Sequence, residues 1–432
     1  MYFLVQTEVH INLQNQYPTY NGNTMNKNIT SSLIISMSLL SGTATAQITP
    51  EEGAKLLVWA NPGENAEVAK YVAQKFEDKY NVSVEVKEVS VLGAVDQMIQ
   101  DGGSTRVGDV FQFPHNMISS GVESGILMEN LISSDRIKND FIQSAVQAST
   151  YSDGKIYAFP SSMTTTIMFY NKGLLPTGIS AFEELLEKNE ELTNPSNNEY
   201  ALIWDINNYY VSRAFITMYG AYEFGNGNTN PDDIGATGKS AIKGLESMLE
   251  LKELTVKNSN DVANGQVRQG LFSDGKVAAI IAGPWAYDTF KNSGINLGVQ
   301  ALPTYKGKDL TTFSGFEVYG VSTFTQYPRA AQLFADYITS EEFAEYRLET
   351  ANRLTPTKAF MAKANSNTSN EYLTAMTQQA KNTIAMPHLM EMNFLWGPLS
   401  GAVSDAWNKD VPPVDALTKA AKSINLQIQM SK

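Results

Sequence analysis

KLLVWANPGENAEVAKYVAQKFEDKYNVSVEVKEV, residues 55–89, is the stretch whose reading decides the fold. Lys55–Ala60 is a mostly apolar run, fit for a strand buried on both faces. Asn61-Pro62-Gly63 is a turn signal. Beyond it, Asn65–Tyr80 carries Ala69, Val72, Ala73, Phe76 and Tyr80 at helical spacing, which predicts an amphipathic helix. Val82–Val89 alternates and predicts a second strand. Ala94–Gln100 follows as a short helix and Asp109–Phe113 as a third strand. Strand, helix, strand, helix, strand indicates a parallel α/β layer.

Further along, Lys155–Pro160 and Thr165–Tyr170 predict two strands in near succession, and Glu183–Leu192 a charged helix. Ala201–Trp204, Val277–Ile281, Gly298–Leu302 and Phe316–Ser322 read as strands. Ala241–Leu254, Val262–Phe272, Ala330–Ile338, Glu341–Thr350, Glu371–Asn382 and Val414–Gln429 carry helical periodicity. The alternation resumes after residue 200, so a second α/β lobe is expected. No low-complexity linker separates the two, which suggests that the chain crosses between lobes at strands. A length of 432 residues also favours more than one core.

Composition removes whole classes of function. Acidic residues outnumber basic ones, 45 to 32, for a net charge of −13, so a nucleic-acid partner is not expected. The chain has no Cys, which excludes disulfides, thiolate catalysis and a lipid-modified N-terminal Cys. Its three His (His10, His115 and His388) leave no basis for a His-rich metal site. G-x-S-x-G, Walker A and dinucleotide motifs are absent. No catalytic residue, metal or cofactor is expected. A carboxylate pair of the glycosidase kind is invisible to sequence spacing, so a secreted carbohydrate-active enzyme stays open as an alternative at this point.

Met25–Ala46 reads MNKNITSSLIISMSLLSGTATA. Lys27 supplies a positive start, Leu33–Leu40 a short apolar core, and Ala44-Thr45-Ala46 a cleavage site. This is a secretory signal peptide, too short in its apolar part to span a bilayer. Residues 1–24 are polar and lack a basic start, and are expected to be an upstream extension from a start codon placed one Met too early. The expected product is exported, acidic and thiol-free, in a Gram-negative periplasm.

Aromatic residues are the informative class. Phe113 ends a strand before Pro114, Tyr209 and Tyr210 follow a polar segment, Trp285 follows Gly283-Pro284, and Trp396 precedes Gly397-Pro398. Aromatics at the carboxyl ends of strands face the crevice where α/β proteins bind ligands. Sugar rings lay their C–H faces flat on such aromatics while their hydroxyls take polar partners. From position alone each of these is equally readable as a core residue. Trp59, inside the first strand, and Trp407, near the C-terminal helix, read as core.

Taken together, KLLVWANPGEN (55–65), GDVFQFPHNMISSGVESGIL (108–127), DGKIYAFPSSMTTTIMFYNKGLLP (153–176), FSDGKVAAIIAGPWAYDTF (272–290), GVQALPTYKGK (298–308) and MPHLMEMNFLWGPLSGAV (386–403) resemble the periplasmic maltose/maltodextrin-binding proteins, the sugar-binding components of ABC importers. The resemblance runs over essentially all of Gln47–Lys432. It implies a two-lobe periplasmic binding protein (Venus-flytrap) fold of α/β class, with an interlobe cleft and a multi-segment hinge. The N-terminal lobe would comprise 47–161 plus 319–365 and the C-terminal lobe 164–313 plus 372–432, hinged near Ser161–Met163 and Ser314–Val318. The implied partners are an oligosaccharide and the inner-membrane permease subunits, and the implied state is a monomer.

Carried over by motif, the ligand-binding positions are Asn61, Glu64, Phe113, Asn116, Thr164, Asn207, Tyr209, Tyr210, Trp285 and Trp396. Trp285 and Trp396 match the family's two stacking tryptophans. Enteric members place acidic residues where this chain has Thr164 and Asn207, Asp-Arg where it has Asn116-Met117, and an Arg and a Tyr where it has Ser400 and Gly397. The aromatic platform is kept and much of the charged hydrogen-bonding set is not, which leaves a different oligosaccharide in the same cleft as a second alternative. N-terminal sequencing of the exported protein checks the leader: the expected terminus is Gln47, and one upstream of it overturns the assignment.

Overall fold

In the computed structural model, which describes residues 48–104, 107–367 and 369–432, the opening stretch folds as its pattern predicts. The predicted leader and the extension before it lie outside the described residues. β1 (Lys55–Ala60) leads through the Asn61–Gly63 turn into a helix over Glu64–Tyr80, whose Ala69, Val72, Ala73 and Phe76 are buried. Asn81, in the left-handed conformation, ends that helix, a position Asn tolerates better than most residues. The remaining strands are β2 (Ser83–Glu88), β3 (Val110–Pro114), β4 (Ala158–Thr164), β5 (Ile167–Asn171), β6 (Tyr200–Ile203), β7 (Asn230–Ile234), β8 (Val277–Ala282), β9 (Leu297–Gln300), β10 (Thr312–Val321) and β11 (Thr383–Ala385).

Two sheets result. The first has the order β11-β10-β3-β1-β2, with β4 also paired to β10; the second has the order β6-β8-β5-β9. β1 runs parallel to β2 and β3, as expected. Neither sheet is wholly parallel, however. β10 returns antiparallel to β3 and β4, and β5 lies antiparallel between β8 and β9. Each sheet carries its own core: Trp59, Phe111, Phe113 and Phe159 belong to the first, and Phe169, Trp204 and Trp407 to the second. Trp59 and Trp407 are both fully buried, as their sequence context predicts.

The chain passes between the cores on strands. Buried residues of β4 belong to the first core and those of β5 to the second, with only Thr165 and Thr166 between the two strands. Thr165 Oγ1 shares a 2.6 Å hydrogen bond with Thr312 Oγ1 at the start of β10. β10 itself places Phe313 in the second core and Phe316, Val318 and Val321 in the first. The segments Ser161–Met163 and Ser314–Val318 thus lie on β4 and β10.

Two helices depart from the sequence reading. No helix is expected around Gly397-Pro398, yet one spans Asn393–Lys409. Pro398 lies in its second turn and costs one backbone bond. Burial of Leu395, Leu399, Ala402, Val403 and Trp407, and packing on the helix Pro413–Ser431, outweigh that loss. Tyr209-Tyr210 begins a second unexpected helix, Tyr209–Ile216, capped by Asn208, whose side chain accepts from the Tyr210 N–H.

Inside the second core that helix supplies Arg213. Its guanidinium donates from Nε to Glu223 Oε1 at 2.7 Å, from Nη2 to Glu223 Oε2 at 3.1 Å and from Nη1 to the Thr311 carbonyl at 2.7 Å. The side chains are 2% and 0% exposed. The same guanidinium stands 4.4 Å from the Phe313 ring centre. A buried pair gains little over apolar packing, but removing one partner strands the other charge. Glu223→Ala should therefore lower stability by about 3–5 kcal/mol, measured by urea unfolding; a change under about 1 kcal/mol would contradict this account.

Candidate functional site

Aromatic side chains from four separate segments meet on the face of the second lobe. Trp285 stands in the turn after β8 and is 48% exposed. A Cβ on Gly283 would lie 2.1 Å from its ring, so a glycine there is what lets the indole fold back over the strand end. The Tyr210 ring centre lies 6.5 Å from that of Trp285 and 5.9 Å from that of Phe313, and Phe313 lies 6.2 Å from Trp396. Tyr210 and Trp396 are half-buried, Phe313 fully buried behind them. Burial pushes the Tyr210 phenol up to about 12, opposed by a hydrogen bond with Thr164 and assisted by the charge of Glu317.

A second, largely buried polar chain links the first lobe's strands, with Gln112 2% and Ser162 1% exposed. The Asn61 N–H, just past β1, donates to Gln112 Oε1 at 3.0 Å, and Asn61 Oδ1 accepts from the Val91 N–H. Gln112 Nε2 donates to Glu317 Oε2 at 2.9 Å, and Ser162 Oγ donates to the same oxygen at 3.3 Å. Arg353 Nε stands 3.9 Å from Glu317 Oε1. Thr164 closes the arrangement. A Cβ on Gly315 would lie 2.6 Å from Thr164 Oγ1 and 3.2 Å from the Tyr210 hydroxyl, so the bare backbone of β10 lets both hydroxyls approach it.

Of the residues expected at a sugar site, the structure brings Asn61, Thr164, Tyr210, Trp285 and Trp396 to these two walls. Phe113 and Tyr209 are corrections, since both are fully buried. Phe113 stacks on Phe111 at 5.1 Å, on the opposite strand face from Gln112. Tyr209 is turned about 100° from Tyr210 around the helix and donates from its hydroxyl to Glu223 at 2.8 Å. Burial, then the Glu223 charge, drives its phenol well above the usual range. The Asn207 side chain is committed to Asn260 and Ser259. Glu64 lies exposed in the first turn of the helix Glu64–Tyr80, and Asn116 is half-buried with no hydrogen bond to a described residue.

Gln112, Glu317 and Arg353 were not anticipated. For Gln112 and Glu317 a signal was present: one polar residue inside an apolar strand in VFQFP, and another in TFSGFEVYGV. A buried polar side chain in such a place needs a partner. No other feature of the strands hints at which. Elsewhere, a surface groove lined by Lys55, Asp109, Phe324 and Tyr327 opens at the amino-terminal ends of β1 and β3, away from these residues.

An aromatic face on one lobe and a polar chain in the other, with strands crossing between them, mark a two-lobe solute-binding protein. The chain belongs to the bacterial extracellular solute-binding protein family, whose model matches residues 71–377. It is 28% identical over 386 residues to the galactooligosaccharide-binding protein of Bacillus subtilis, covering 88% of this chain and 90% of that protein. It is likewise 28% identical over 395 residues to a maltooligosaccharide ABC transporter solute-binding lipoprotein of Streptococcus pneumoniae, covering 89% and 92%. Among solved structures it superposes on a cyclo/maltodextrin-binding protein complexed with maltotetraose, with a TM-score of 0.78 and 28% identity over 88% of this chain and 98% of that one. MalX from Streptococcus pneumoniae in complex with maltopentaose matches with a TM-score of 0.79 and 25% identity, over 86% and 100%.

The lobes are also clasped beside the crossing. His115, in the turn after β3, accepts the Phe316 N–H at Nδ1, so Nε2 carries the proton and donates to the Met386 carbonyl at 3.1 Å. Ser119 Oγ donates to the His388 carbonyl. Burial holds the His115 ring down at about 4, against 6.5 in the open chain. Between those values the unfolded chain takes up a proton that the folded one refuses, so this contribution is complete above pH 6.5 and is lost as pH falls towards 4. It amounts to about 3 kcal/mol. Urea unfolding from pH 7 to 4 should show a steeper loss for the parent than for His115→Gln; parallel curves would remove the assignment.

Proposed function

We propose that this protein captures maltose or a maltodextrin in the cleft between its lobes and delivers it to an ABC-type sugar permease. The observation that carries the reading is the pairing of Trp285, Tyr210 and Trp396 on one wall with the Asn61–Gln112–Glu317 chain on the other. A pyranose offers each wall what it needs: apolar C–H faces for the rings and hydroxyls for the polar chain. The maltooligosaccharide-binding relatives and the sugar-bound structural neighbours support it. A ligand touching both walls binds the closed form better than the open one, and that difference in affinity drives closure. Hinge closure of this kind is how periplasmic binding proteins respond to ligand. In this reading the protein is exported to a Gram-negative periplasm, acts as a monomer and performs no chemistry on the sugar.

Trp285→Ala and Trp396→Ala test the platform by calorimetric titration with maltotriose. Loss of roughly 50–100 Å² of stacking area at ~25 cal/mol/Å² is about 1–3 kcal/mol, so binding should weaken roughly 5- to 150-fold. Trp285→Ala should change the urea stability of the ligand-free protein little, because the indole is half exposed. Trp59→Ala, in the first core, should instead cost ~3–5 kcal/mol of stability. Cleft variants that bind maltotriose as well as the parent would refute the reading.

A further inference from the structure

Arg353 is only 7% exposed, yet its guanidinium makes no hydrogen bond to any described residue. Its Nε is fully buried with no partner, and a buried donor is rarely left without an acceptor. Among the described residues, the charge of opposite sign set against it is Glu317, 3.9 Å from Nε to Oε1, beyond hydrogen-bond reach. By contrast Arg213, also buried, has every edge engaged by Glu223 and the Thr311 carbonyl. Arg353 therefore has donors to offer that the fold itself does not use.

Its place in the molecule says to what. Arg353 follows Asn352, whose side chain donates to Asp288, three residues beyond Trp285, and whose carbonyl accepts from Tyr372. The next residue, Leu354, pairs by backbone with Met163 on the crossing strand β4. Glu317 lies on the other crossing strand, opposite Ser162, at a register shift where Ser161 is the extra residue of β4. Bulges of this kind re-aim side chains and gather beside functional sites. Glu317 Oε2 already accepts from Gln112 and Ser162, whereas Oε1 accepts no hydrogen bond. Its side chain is 13% exposed, and its charge is felt at the Tyr210 hydroxyl in the aromatic wall.

We propose that Glu317 and Arg353 together form the polar anchor of the ligand, taking adjacent hydroxyls of one neutral sugar residue. The inference rests on the oligosaccharide-binding reading above. A hydroxyl both accepts and donates, so a vicinal diol accepts from the guanidinium edge and donates to Glu317 Oε1. The neighbouring carboxylate repels an anionic ligand, which selects a neutral sugar over an acidic one.

Calorimetric titration of the parent, Glu317→Gln and Arg353→Lys with maltotriose and with a panel of monodeoxy maltose analogues tests this. Hydrogen bonds to charged groups predict a loss of about 10- to 100-fold for each variant with maltotriose. The parent should discriminate against one deoxy position, and Glu317→Gln should not. Thermal melting without ligand checks that the variants fold as the parent does. Variants that bind maltotriose like the parent, or that weaken every analogue by the same factor, overturn the anchor while leaving the function standing. A parent that binds no neutral oligosaccharide overturns both.

Discussion

One strand, β10, ties the molecule together. Its start pairs with β11 and lends Phe313 to the second core, while its later residues pair with β3 and β4 in the first. Any ligand surface built from both lobes must be referenced to it. Phe313, the backing of the aromatic wall, and Glu317, the centre of the polar chain, lie four residues apart, about 13 Å along an extended strand. That spacing is set by backbone geometry rather than by side-chain packing, and it is of the order of a short saccharide. Gly315 between them leaves room for Tyr210 and Thr164 to close over the strand.

Two buried arginines show how differently the fold treats the same group. Arg213 is enclosed with Glu223, the Thr311 carbonyl and the Phe313 ring, and so stiffens the backing of the aromatic wall. Stacking on a sugar works best when the rings are held before the ligand arrives, since less ordering is then needed on binding. Arg353 is held by its backbone neighbours at the crossing but has no such partners for its side chain. A scaffold can carry one fully paired charge for rigidity and another incompletely paired one for recognition.

The first lobe's route from strand to helix, with its burial pattern, was legible in residues 55–89, because strand and helix periods are local properties of the chain. The same holds for Trp59 and Trp407 as core. Two of the aromatic positions expected at the site fall in the core, each beside a neighbour that does not follow it. Phe113 is buried while its neighbour Gln112, not singled out from sequence, joins the polar chain, and Tyr209 is buried while Tyr210, expected beside it, reaches the aromatic wall. On a strand the neighbour points to the other face, and on a helix it is turned by about 100°. An aromatic chosen from composition alone therefore lands in the core when the register is off by one residue.

By itself the sequence determined the α/β character, the order of most elements, the exclusion of thiol chemistry, and a set of motifs whose order marks the family. Those depend on near neighbours and on composition. Tertiary structure alone decided the contents of the polar wall. Gln112 and Glu317 are 205 positions apart, and Arg353 reaches Glu317 only because Leu354 pairs with Met163 across the crossing. It also decided that Pro398 sits inside a helix and that β10 runs antiparallel to β3. Such features arise from contacts between distant segments, whose energies leave no periodic trace in the segments themselves.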